Sequence, residues 1–479
     1  MLEFFGALAR RAAIAGARPA IVAPARTLSY RDLLNRICEG AEWARILPDR
    51  VGLLFGDAAD GLVADLALSF AGKELVPLPA FFSDGQLAHI IGAAGLTHAV
   101  SDSICGDRAR RLGLIAGELG AVAGCGSEPA SNARRIIFTS GSTGRPKGVR
   151  LSARQMLASM TALAEATGAG AEDRYLSLLP SALLLEQIAG VYVPLSVGAE
   201  VHLPHGSLGG SNPTSIADIV EAARPTATVL VPELLRAWLR ELETLDRSSP
   251  ASLKFVAVGG APVPEALVSA AWRRGLPIYQ GYGLSECCSV VSVNRPGDPG
   301  LGTAGRPLAG VHVTIAAGEI IVSGPTVMDG YLAGTPAGGS WSTGDLGSFD
   351  RDGRLIVMGR KDNIIVTSAG RNVSPEWIED MMISDPRIGR CVVVECHGAL
   401  TAVITPANKT ITTNTAALQQ ILADSSRHAP DYAKPRQCLV LTNQEFAELG
   451  LLTPNGRPRR SAIRSLVAER SRFLSDQPI

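Results

Sequence analysis

Residues 139–148 combine glycines, hydroxyl side chains and one lysine in a pattern suited to phosphate binding. The stretch reads Thr-Ser-Gly-Ser-Thr-Gly-Arg-Pro-Lys-Gly, and a short apolar run that favours a β-strand, 135–138, precedes it. Glycines let the backbone approach a ligand closely, so N–H groups and hydroxyls can surround phosphate oxygens, and Lys147 adds a point charge. The alternative is a flexible surface loop, in which a Pro-Lys pair at a fixed offset is rare. A P-loop has Gly-Lys-Ser/Thr at the start of a helix, whereas here Lys147 follows a proline and precedes a glycine, so the stretch is not a P-loop.

A second polar motif, Tyr282-Gly-Leu-Ser-Glu286, follows a predicted strand. Its aromatic ring could cover a purine, Ser285 could bond a phosphate oxygen, and Glu286 could hold Mg²⁺, which prefers one or two carboxylates plus phosphate oxygens. The alternative is a strand-to-turn corner with a solvated glutamate. Asp345 in Ser342-Thr-Gly-Asp345 is a further candidate, because a carboxylate can accept hydrogen bonds from both ribose hydroxyls. An aspartate that caps a turn is the simpler explanation for that residue.

Over all ten positions, 139–148 resembles the phosphate-loop signature of the acyl-adenylate-forming enzymes. This superfamily contains acyl-CoA synthetases, the adenylation domains of peptide synthetases and beetle luciferases. The 282–286 motif is similar to the family's Tyr-Gly-x-Thr-Glu, with Ser285 keeping the hydroxyl, and the long segment around Asp345 resembles its ribose site. The similarity extends from about residue 25 to about residue 465.

The resemblance implies a binding site for ATP and Mg²⁺ with a defined set of residues. Lys147, Glu286 and Arg457 are the implied catalytic residues, and Glu286 is the implied metal ligand. The implied nucleotide-binding residues are Thr139, Ser140, Gly141, Ser142, Thr143, Gly144, Lys147, Gly260, Ala261, Pro262, Gly281, Tyr282, Gly283, Ser285, Asp345 and Arg360.

The segment Gly359-Arg-Lys-Asp-Asn363 resembles the boundary between the family's two domains. It implies an adenylating domain, 1–361, and a mobile C-terminal domain, 362–479, with Asp362 as the hinge. Hinges are a few residues that absorb large changes in φ and ψ. The sequence after the hinge is most similar to long-chain acyl-CoA synthetases, in which the small residues corresponding to Ser368, Ala369 and Gly370 would let the pantetheine arm of CoA pass.

The C-terminal motif Leu452-Thr-Pro-Asn-Gly-Arg-Pro-Arg-Arg460 departs from the family pattern. The family has a lysine directly after Asn-Gly, where it bridges the substrate carboxylate and the α-phosphate, but this chain has Arg457. Arginine is longer, planar and forked, so the exchange is not conservative. Three outcomes are open: Arg457 serves adequately, Arg459 or Arg460 substitutes for it, or adenylation is crippled. Arg459 and Arg460 as plain surface charges are a further alternative.

The segment Leu179-Pro-Ser-Ala-Leu-Leu-Leu-Glu186 resembles the start of the family's acyl pocket. We expect substrate contacts from Leu183, Glu186 and Gly190, although a buried helix without substrate contact is an equal alternative for each. No aspartate lies between Arg174 and His202, so a zwitterionic substrate finds no obvious counter-ion other than Glu186. The sequence therefore favours an uncharged carboxylic acid tail, fatty or aromatic.

The pattern of elements predicts an α/β fold with a large N-terminal domain and a small one after it. Parallel sheet is indicated where short apolar runs alternate with helical patterns. We expect a large domain of mixed and parallel sheets with flanking helices, a strand-rich subdomain from about 311, and a small α+β C-terminal domain. The clearest predicted strands are 50–55, 74–78, 227–231, 253–258, 276–279, 311–315, 319–322, 354–358, 391–395 and 400–404; predicted helices include 62–71 and 264–274 and two that begin at Ser152 and Ser374.

Bulk composition excludes several classes of protein. The 479 residues carry a formal net charge of +0 and 46% hydrophobic residues, so no strong field attracts nucleic acid or an anionic membrane. The eight scattered cysteines form no C-x-x-C pair, and we expect reduced, mostly buried thiols. The N-terminus lacks a signal-peptide core, and the apolar stretch 176–203 is interrupted by prolines and polar residues. We therefore expect a cytoplasmic protein without a membrane span.

Three functional hypotheses follow. The first is a ligase that joins a small carboxylic acid to CoA or to the phosphopantetheine of an acyl carrier protein, by way of acyl-AMP. The second is an adenylate-forming enzyme with a non-thiol acceptor. The third is an ATP- or acyl-AMP-binding protein with little turnover, suggested by Arg457. A homodimer is possible under each hypothesis.

Overall fold

The computed structural model describes residues 1–122, 128–139, 146–204, 214–366, 371–385, 387–407, 415–453 and 458–475. The strands are β1 Pro19–Ala23, β2 Arg26–Ser29, β3 Arg50–Leu54, β4 Glu74–Pro77, β5 His98–Ser101, β6 Ile115–Gly117, β7 Arg134–Thr139, β8 Lys147–Ser152, β9 Arg174–Leu176, β10 Glu200–His202, β11 Ala227–Leu230, β12 Phe255–Val258, β13 Ile278–Leu284, β14 Ser289–Val293, β15 Arg306–Pro307, β16 His312–Ala316, β17 Glu319–Ser323, β18 Gly330–Tyr331, β19 Ser340–Phe349, β20 Leu355–Arg360, β21 Ile365–Val366, β22 Asn372–Val373, β23 Ile388–Cys396, β24 Ala399–Pro406 and β25 Gln437–Val440. The α-helices are α1 Leu2–Ala15, α2 Tyr30–Ala44, α3 Ala58–Phe70, α4 Asp84–Ala94, α5 Gly106–Arg111, α6 Ala153–Thr167, α7 Val193–Val197, α8 Ile216–Ala223, α9 Pro232–Thr244, α10 Glu265–Arg273, α11 Pro375–Ile383, α12 Thr415–Ser425, α13 Asn443–Glu448 and α14 Arg460–Ser475.

Two large sheets form the N-terminal domain. A nine-stranded sheet has the order β15-β14-β13-β12-β11-β9-β10-β1-β2, and its central strands from β13 to β1 are parallel. A seven-stranded sheet has the order β18-β8-β7-β4-β3-β5-β6. The largest apolar core lies between these sheets and includes α1, α6 and the π-helix Glu186–Tyr192. A second core, around Trp238, packs α8, α9 and α10 on the other face of the nine-stranded sheet. Parallel strands are thus covered on both faces, which is the normal requirement for such sheets.

Smaller sheets follow along the chain. The four-stranded sheet β16-β17-β19-β20 is the strand-rich subdomain, and its strands pair antiparallel. The C-terminal domain contains a two-stranded sheet, β21-β22, and a three-stranded sheet, β23-β24-β25, whose faces carry separate apolar clusters. The architecture confirms the predicted α/β fold class. The boundary between residues 361 and 362 stays a prediction.

Most predicted elements are present, and two of them differ clearly in their bounds. The strand predicted to end at Tyr279 continues to Leu284, because β14 pairs antiparallel with its second half. The helix predicted to begin at about 62 begins four residues earlier, where Asp57 caps it by accepting a hydrogen bond from the Asp60 N–H. Cys38 is disulfide-bonded, so the prediction of reduced thiols is wrong at that residue, whereas the other six described cysteines are free.

Two expectations concern the ends and surface of helices. The predicted capping box at Ser152 is present, with the Ser152 N–H donating to Gln155 Oε1 at 2.7 Å. Ser374 precedes α11, which begins with Pro375 as predicted. Among the helices of the described part of the chain, none is both long and apolar enough to cross a bilayer.

Candidate active site

A large cleft of about 2860 Å³ opens where the parallel strands of the nine-stranded sheet end. Its walls include residues that follow β9, β11, β12 and β13, together with β19, β20 and parts of the C-terminal domain. The carboxyl ends of parallel strands are the usual ligand edge of such sheets, because loops converge there without obstructing the strands. The cleft therefore collects most of the described residues that the sequence singled out.

Lys147 and Glu286 lie on the same side of this cleft and share one contact residue. Thr139 and Lys147 are directly opposite each other at the ends of β7 and β8. The Lys147 ammonium lies 5.4 Å from the centre of the Tyr331 ring, and the Tyr331 hydroxyl donates to Glu286 Oε1 at 2.8 Å. Burial and the neighbouring Glu286 carboxylate raise the pKa of Tyr331, so the phenol stays protonated and remains a donor. Tyr331 thus contacts both a cation and a carboxylate, the two kinds of group that would bind ATP with Mg²⁺.

Asp345 also lines the cleft and is held from two directions. The Tyr282 hydroxyl donates to Asp345 Oδ2 at 2.6 Å, and Arg360 Nη1 donates to Asp345 Oδ1 at 3.0 Å. Asp345 and Arg360 face each other across β19 and β20, so the sheet register brings them together. Burial and the adjacent Asp345 carboxylate raise the pKa of Tyr282 well above its ordinary value. This carboxylate is oriented on a rigid hairpin, as a ribose-binding group needs to be.

Glycines allow the backbone to pass closely at this edge of the sheet. A Cβ at residue 283 would lie 1.7 Å from the Ser289 carbonyl oxygen, so Gly283 has no room for a side chain. Gly260 has a φ of +81°, a conformation that L residues rarely adopt. Gly260, Ala261, Pro262, Gly281, Tyr282, Gly283 and Ser285 all line the cleft. The predicted adenine and phosphate segments therefore lie beside the Lys147–Glu286 side of the site.

The chain between the two domains is tied on both sides of Asp362. Lys361 Nζ donates to Glu319 Oε2 at 2.9 Å on the large domain, whereas Asn363 Nδ2 donates to Glu376 Oε1 at 2.6 Å on the C-terminal domain. Asp362 itself is exposed at the cleft. The residues on either side of Asp362 thus bond to different domains, as expected of a hinge, and the hinge role of Asp362 stays a prediction.

Several predicted residues lie outside the described residues: Ser140, Gly141, Ser142, Thr143, Gly144, Ser368, Ala369, Gly370 and Arg457. Arg460 is described, and it is held by Glu376 and Glu379 of α11 in ion pairs, with a further bond to the Val393 carbonyl oxygen. A guanidinium saturated in this way is no surface charge.

A family model described as AMP-binding enzyme matches residues 8–332 of the chain. The chain belongs to the AMP-binding enzyme family. The predicted resemblance is thereby confirmed. A 2-succinylbenzoate–CoA ligase of Bacillus licheniformis is 32% identical over 287 residues, 55% of this chain and 56% of the relative. An indoleacetate–CoA ligase of Aromatoleum aromaticum is 31% identical over 366 residues, 70% of this chain and 68% of the relative. The chain thus spans little more than half the length of the succinylbenzoate relative.

Solved structures agree with the AMP-binding enzyme fold. The anthranilate CoA ligase AuaEII in complex with anthranoyl-AMP has a TM-score of 0.85 at 20% identity, with 98% of each chain covered. The o-succinylbenzoate CoA synthetase MenE of Bacillus subtilis, with the acyl-adenylate OSB-AMP, has a TM-score of 0.80 at 23% identity, covering 96% of this chain and 97% of that one. At these identities the likeness extends to the fold alone.

The predicted acid-binding residues of this AMP-binding enzyme separate into two groups. Leu183 lines the cleft, whereas Glu186 and Gly190 lie behind its wall in the π-helix. The Tyr175 hydroxyl donates to Glu186 Oε2 at 2.9 Å, and Glu186 Oε1 is buried without a hydrogen-bond partner. Burial raises the pKa of Glu186 to about 8, against the opposing effect of bonds from Ser177 and Tyr175. Glu186 is therefore a neutral carboxyl group at pH 7 and supports Tyr175, which does face the cleft.

Sequence reasoning missed Tyr331, Ser289 and His89. Tyr331 carries no motif of its own, and only the pairing of β18 with β8 brings it to Lys147. Ser289 lines the cleft at 7% exposure, with an Oγ that is buried without a partner and a φ of +86°. His89 Nε2 lies 3.2 Å from the carbonyl oxygen of Pro146, next to Lys147. A polar residue three positions after Glu286 was visible in the sequence, but its strained backbone was not.

The donor set fits magnesium. Glu286 offers a hard carboxylate oxygen beside a lysine, and Mg²⁺ is commonly held by one or two carboxylates together with the phosphates of its nucleotide. Within the described residues, no group of three or more histidine, cysteine or acidic side chains forms a site that would hold a metal without a nucleotide.

Proposed function

We propose that this AMP-binding enzyme activates a carboxylic acid with ATP to give acyl-AMP and then transfers the acyl group to CoA. The observation that carries the proposal is that one cleft collects Lys147, Tyr331 and Glu286 together with Asp345 and Arg360. A triphosphate between the first three residues and a ribose on Asp345 would place the α-phosphate at the mouth of the apolar acyl cavity. The resemblance of the whole chain to acyl-adenylate-forming enzymes supports the same order of groups.

The proposed reaction has two steps. A carboxylate oxygen attacks the α-phosphorus of ATP, and pyrophosphate leaves with the electrons of the broken P–O bond. The thiolate sulfur of CoA then attacks the acyl carbon, and AMP leaves. Mg²⁺, when bound, would supply charge neutralisation on the phosphates. Lys147 would hold the β- and γ-phosphates, and Arg457 would contact the reacting centre, so that catalysis depends on positioning and electrostatics.

The acid is proposed to be uncharged apart from its carboxylate and to have an apolar tail. Cleft residues near Leu183 support this, since Leu179, Leu184, Leu185, Ala189 and Val193 also line the cavity. The relatives are named as ligases for 2-succinylbenzoate and indoleacetate, which supports an aromatic acid. A fatty acid fits the same apolar wall. A carrier-protein acceptor, a homodimer and a cytoplasmic location stay predictions.

The test is release of pyrophosphate by the purified chain with ATP, Mg²⁺ and a panel of aromatic and fatty acids. At least one acid is expected to release pyrophosphate and, after addition of CoA, to yield a thioester detected by mass spectrometry. If acyl-AMP accumulates in the presence of CoA and is consumed after an amine is added, the acceptor is an amine and not a thiol. Tight acyl-AMP binding without pyrophosphate release would make the chain a binding protein. Arg457→Lys shows whether that position limits the rate, because a functional arginine gives no gain.

A further inference from the structure

Three arginines that the proposed ATP site does not use line the cleft between the large domain and the C-terminal domain. Arg236 and Arg240 lie four residues apart on α9, and therefore on one face of that helix, and Arg390 lies on β23. No residue proposed to bind ATP, Mg²⁺ or the acid belongs to α9, β23 or β24. Within the part of the chain that the structure describes, none of the three guanidinium groups makes an ion pair or a side-chain hydrogen bond.

The three guanidinium groups lie close enough to influence one another. Burial lowers the pKa of Arg236, against the opposing charges of Glu233 and Asp380, and the like charges of Arg240 and Arg390 lower it further. Burial also raises the pKa of Asp380 to about 7, so this carboxyl group carries less than a full charge at neutral pH. Three guanidinium charges thus face the carboxylate of Glu233 and a partly protonated Asp380. The local charge is therefore positive, and the walls of a cleft strengthen its attraction for anions.

Two polar atoms in this part of the cleft are buried without a hydrogen-bond partner. They are Arg390 Nη1 and the hydroxyl of Thr405, a residue that is 1% exposed. Arg390 and Thr405 are directly opposite each other on β23 and β24, so their side chains share one face of the sheet, and both line the cleft. The guanidinium carbon of Arg390 lies 5.4 Å from the centre of the Phe446 ring, a contact that orients the group without satisfying its N–H donors. Because buried polar groups normally have partners, this pair indicates a site for an external ligand.

A phosphate group matches these donors. A guanidinium fork binds two phosphate oxygens at once, and a threonine hydroxyl supplies one more donor. A carboxylate offers two oxygens in one plane and suits a single fork. Arginines that approach from two domains suit a tetrahedral group, whose oxygens point in several directions.

We propose that Arg236, Arg240, Arg390 and Thr405 bind a phosphate group between the two domains, outside the ATP site. The first two residues belong to the large domain and the other two to the C-terminal domain, so the bound group links the domains in this arrangement. Two sources supply this chemistry: free phosphate or pyrophosphate, and the phosphates of CoA. The proposal does not depend on the proposed acid activation, because binding is measured without an acid.

The test is calorimetric titration of the whole protein with inorganic pyrophosphate, without Mg²⁺ and without an acid. Saturable binding is expected, and Arg236→Gln and Arg390→Gln are each expected to weaken it about tenfold or more, because each removes a charged donor. Arg273 is exposed on α10 and does not line the cleft, so Arg273→Gln is the matched control with unchanged affinity. No binding, or an equal loss in Arg273→Gln, would overturn the proposal.

Lys147→Gln separates this site from the phosphate loop. Pyrophosphate at the proposed site keeps its affinity in Lys147→Gln and loses it in Arg236→Gln. The reverse pattern would place the anion on the phosphate loop and would overturn the proposal. If binding is lost in Arg236→Gln and kept in Arg390→Gln, the anion binds the large domain alone and the link between the domains is wrong.

Two further variants test the site in opposite directions. Asp380→Asn removes a carboxyl group near Arg236 and is expected to strengthen pyrophosphate binding about threefold, since less negative charge opposes the anion. Thr405→Val keeps the volume and removes the hydroxyl, which has no partner in the chain. Its unfolding temperature without pyrophosphate is expected not to fall, whereas its affinity for pyrophosphate is expected to fall about threefold or more. Weaker binding in Asp380→Asn, or unchanged affinity in Thr405→Val, would contradict this assignment of residues.

CoA and dephospho-CoA, which lacks the 3′-phosphate, distinguish the two sources. If CoA displaces pyrophosphate and dephospho-CoA does so at least tenfold more weakly, the 3′-phosphate of CoA is the occupant. If neither displaces it, the site takes a free anion. Displacement that is equally strong in Arg236→Gln and in the wild type would show that CoA binds elsewhere and would remove it as a source.

Discussion

The two ends of the cleft are built in opposite ways. At the nucleotide end, Tyr282, Asp345 and Arg360 are joined by directional bonds of 2.6 and 3.0 Å, and Tyr331 bonds Glu286 at 2.8 Å. At the acyl end most of the lining side chains are apolar, among them Leu179, Leu183 and Leu185. Hydrogen bonds fix atoms by distance and angle, whereas apolar contacts require only filled volume. The hydrogen-bonded end therefore fixes the position of the reacting groups, whereas the apolar end can change its choice of acid by changes in side-chain volume.

The largest expected effect is at Glu286, the carboxylate that we propose holds Mg²⁺. Glu286→Gln keeps the shape but removes the charge that would face Mg²⁺, and kcat for pyrophosphate release is expected to fall by about 10²–10³. Glu265 lines the same cleft away from this corner, so Glu265→Gln is the matched control and should retain the wild-type rate. A loss of less than about threefold in Glu286→Gln would remove the metal role from this residue.

Asp345→Asn is expected to act on ATP binding more than on turnover. A hydrogen bond to a charged group contributes ~1.5–3 kcal/mol, which corresponds to about a tenfold to hundredfold rise in the KM for ATP. Asp352, exposed in the turn between β19 and β20, provides the control Asp352→Asn with an unchanged KM. Steady-state kinetics at varied ATP concentration measure the KM for ATP of both variants. An unchanged KM in both variants would contradict a ribose site at Asp345.

Tyr331→Phe sharpens the comparison within the nucleotide end. The variant keeps the ring that faces Lys147 and loses only the hydrogen bond to Glu286. A loss of ~1 kcal/mol is expected to lower the rate of pyrophosphate release about fivefold. Pyrophosphate release at several Mg²⁺ concentrations measures this effect. A loss as large as that of Glu286→Gln would mean that the phenol itself acts on substrate, and no loss would mean that Glu286 needs no orientation.

The smallest effect at neutral pH is expected at Glu186. Its pKa is raised from an ordinary 4.5 to about 8 by burial, so the folded protein binds a proton that the unfolded chain releases above pH 4.5. Its contribution to stability is complete below about 4.5 and is lost as the pH rises through 8. Glu186→Gln, which mimics the protonated group, should therefore lose less stability than the wild type between pH 6 and pH 9.

Urea unfolding of both proteins at pH 6 and 9 tests this directly. Parallel loss of stability in the wild type and in Glu186→Gln would show that Glu186 is ionised in the fold. Such a result would mean that a buried negative charge, and not a neutral carboxyl group, lies behind the apolar wall of the acyl end.

How much the sequence predicts differs between the two ends for the same physical reason. The proposed nucleotide end depends on contiguous motifs, so the sequence could single out Lys147, Glu286 and Asp345, which all line the cleft. The β-strand register then pairs Arg360 with Asp345. Tyr331 could not be predicted, because its place depends on the pairing of β18 with β8 across a large separation in sequence. At the acyl end, Glu186 was assigned to the substrate, but the π-helix turns it behind Tyr175. No local pattern marks that rotation.

The most direct measurement is acid-dependent exchange of labelled pyrophosphate into ATP, which reports reversible formation of an acyl adenylate without any acceptor. With wild-type protein, Mg²⁺ and an apolar carboxylic acid, the account predicts exchange that requires the acid and is abolished in Glu286→Gln. Folded protein that supports no exchange with any acid of the panel, or exchange that is equally fast without acid, would contradict it.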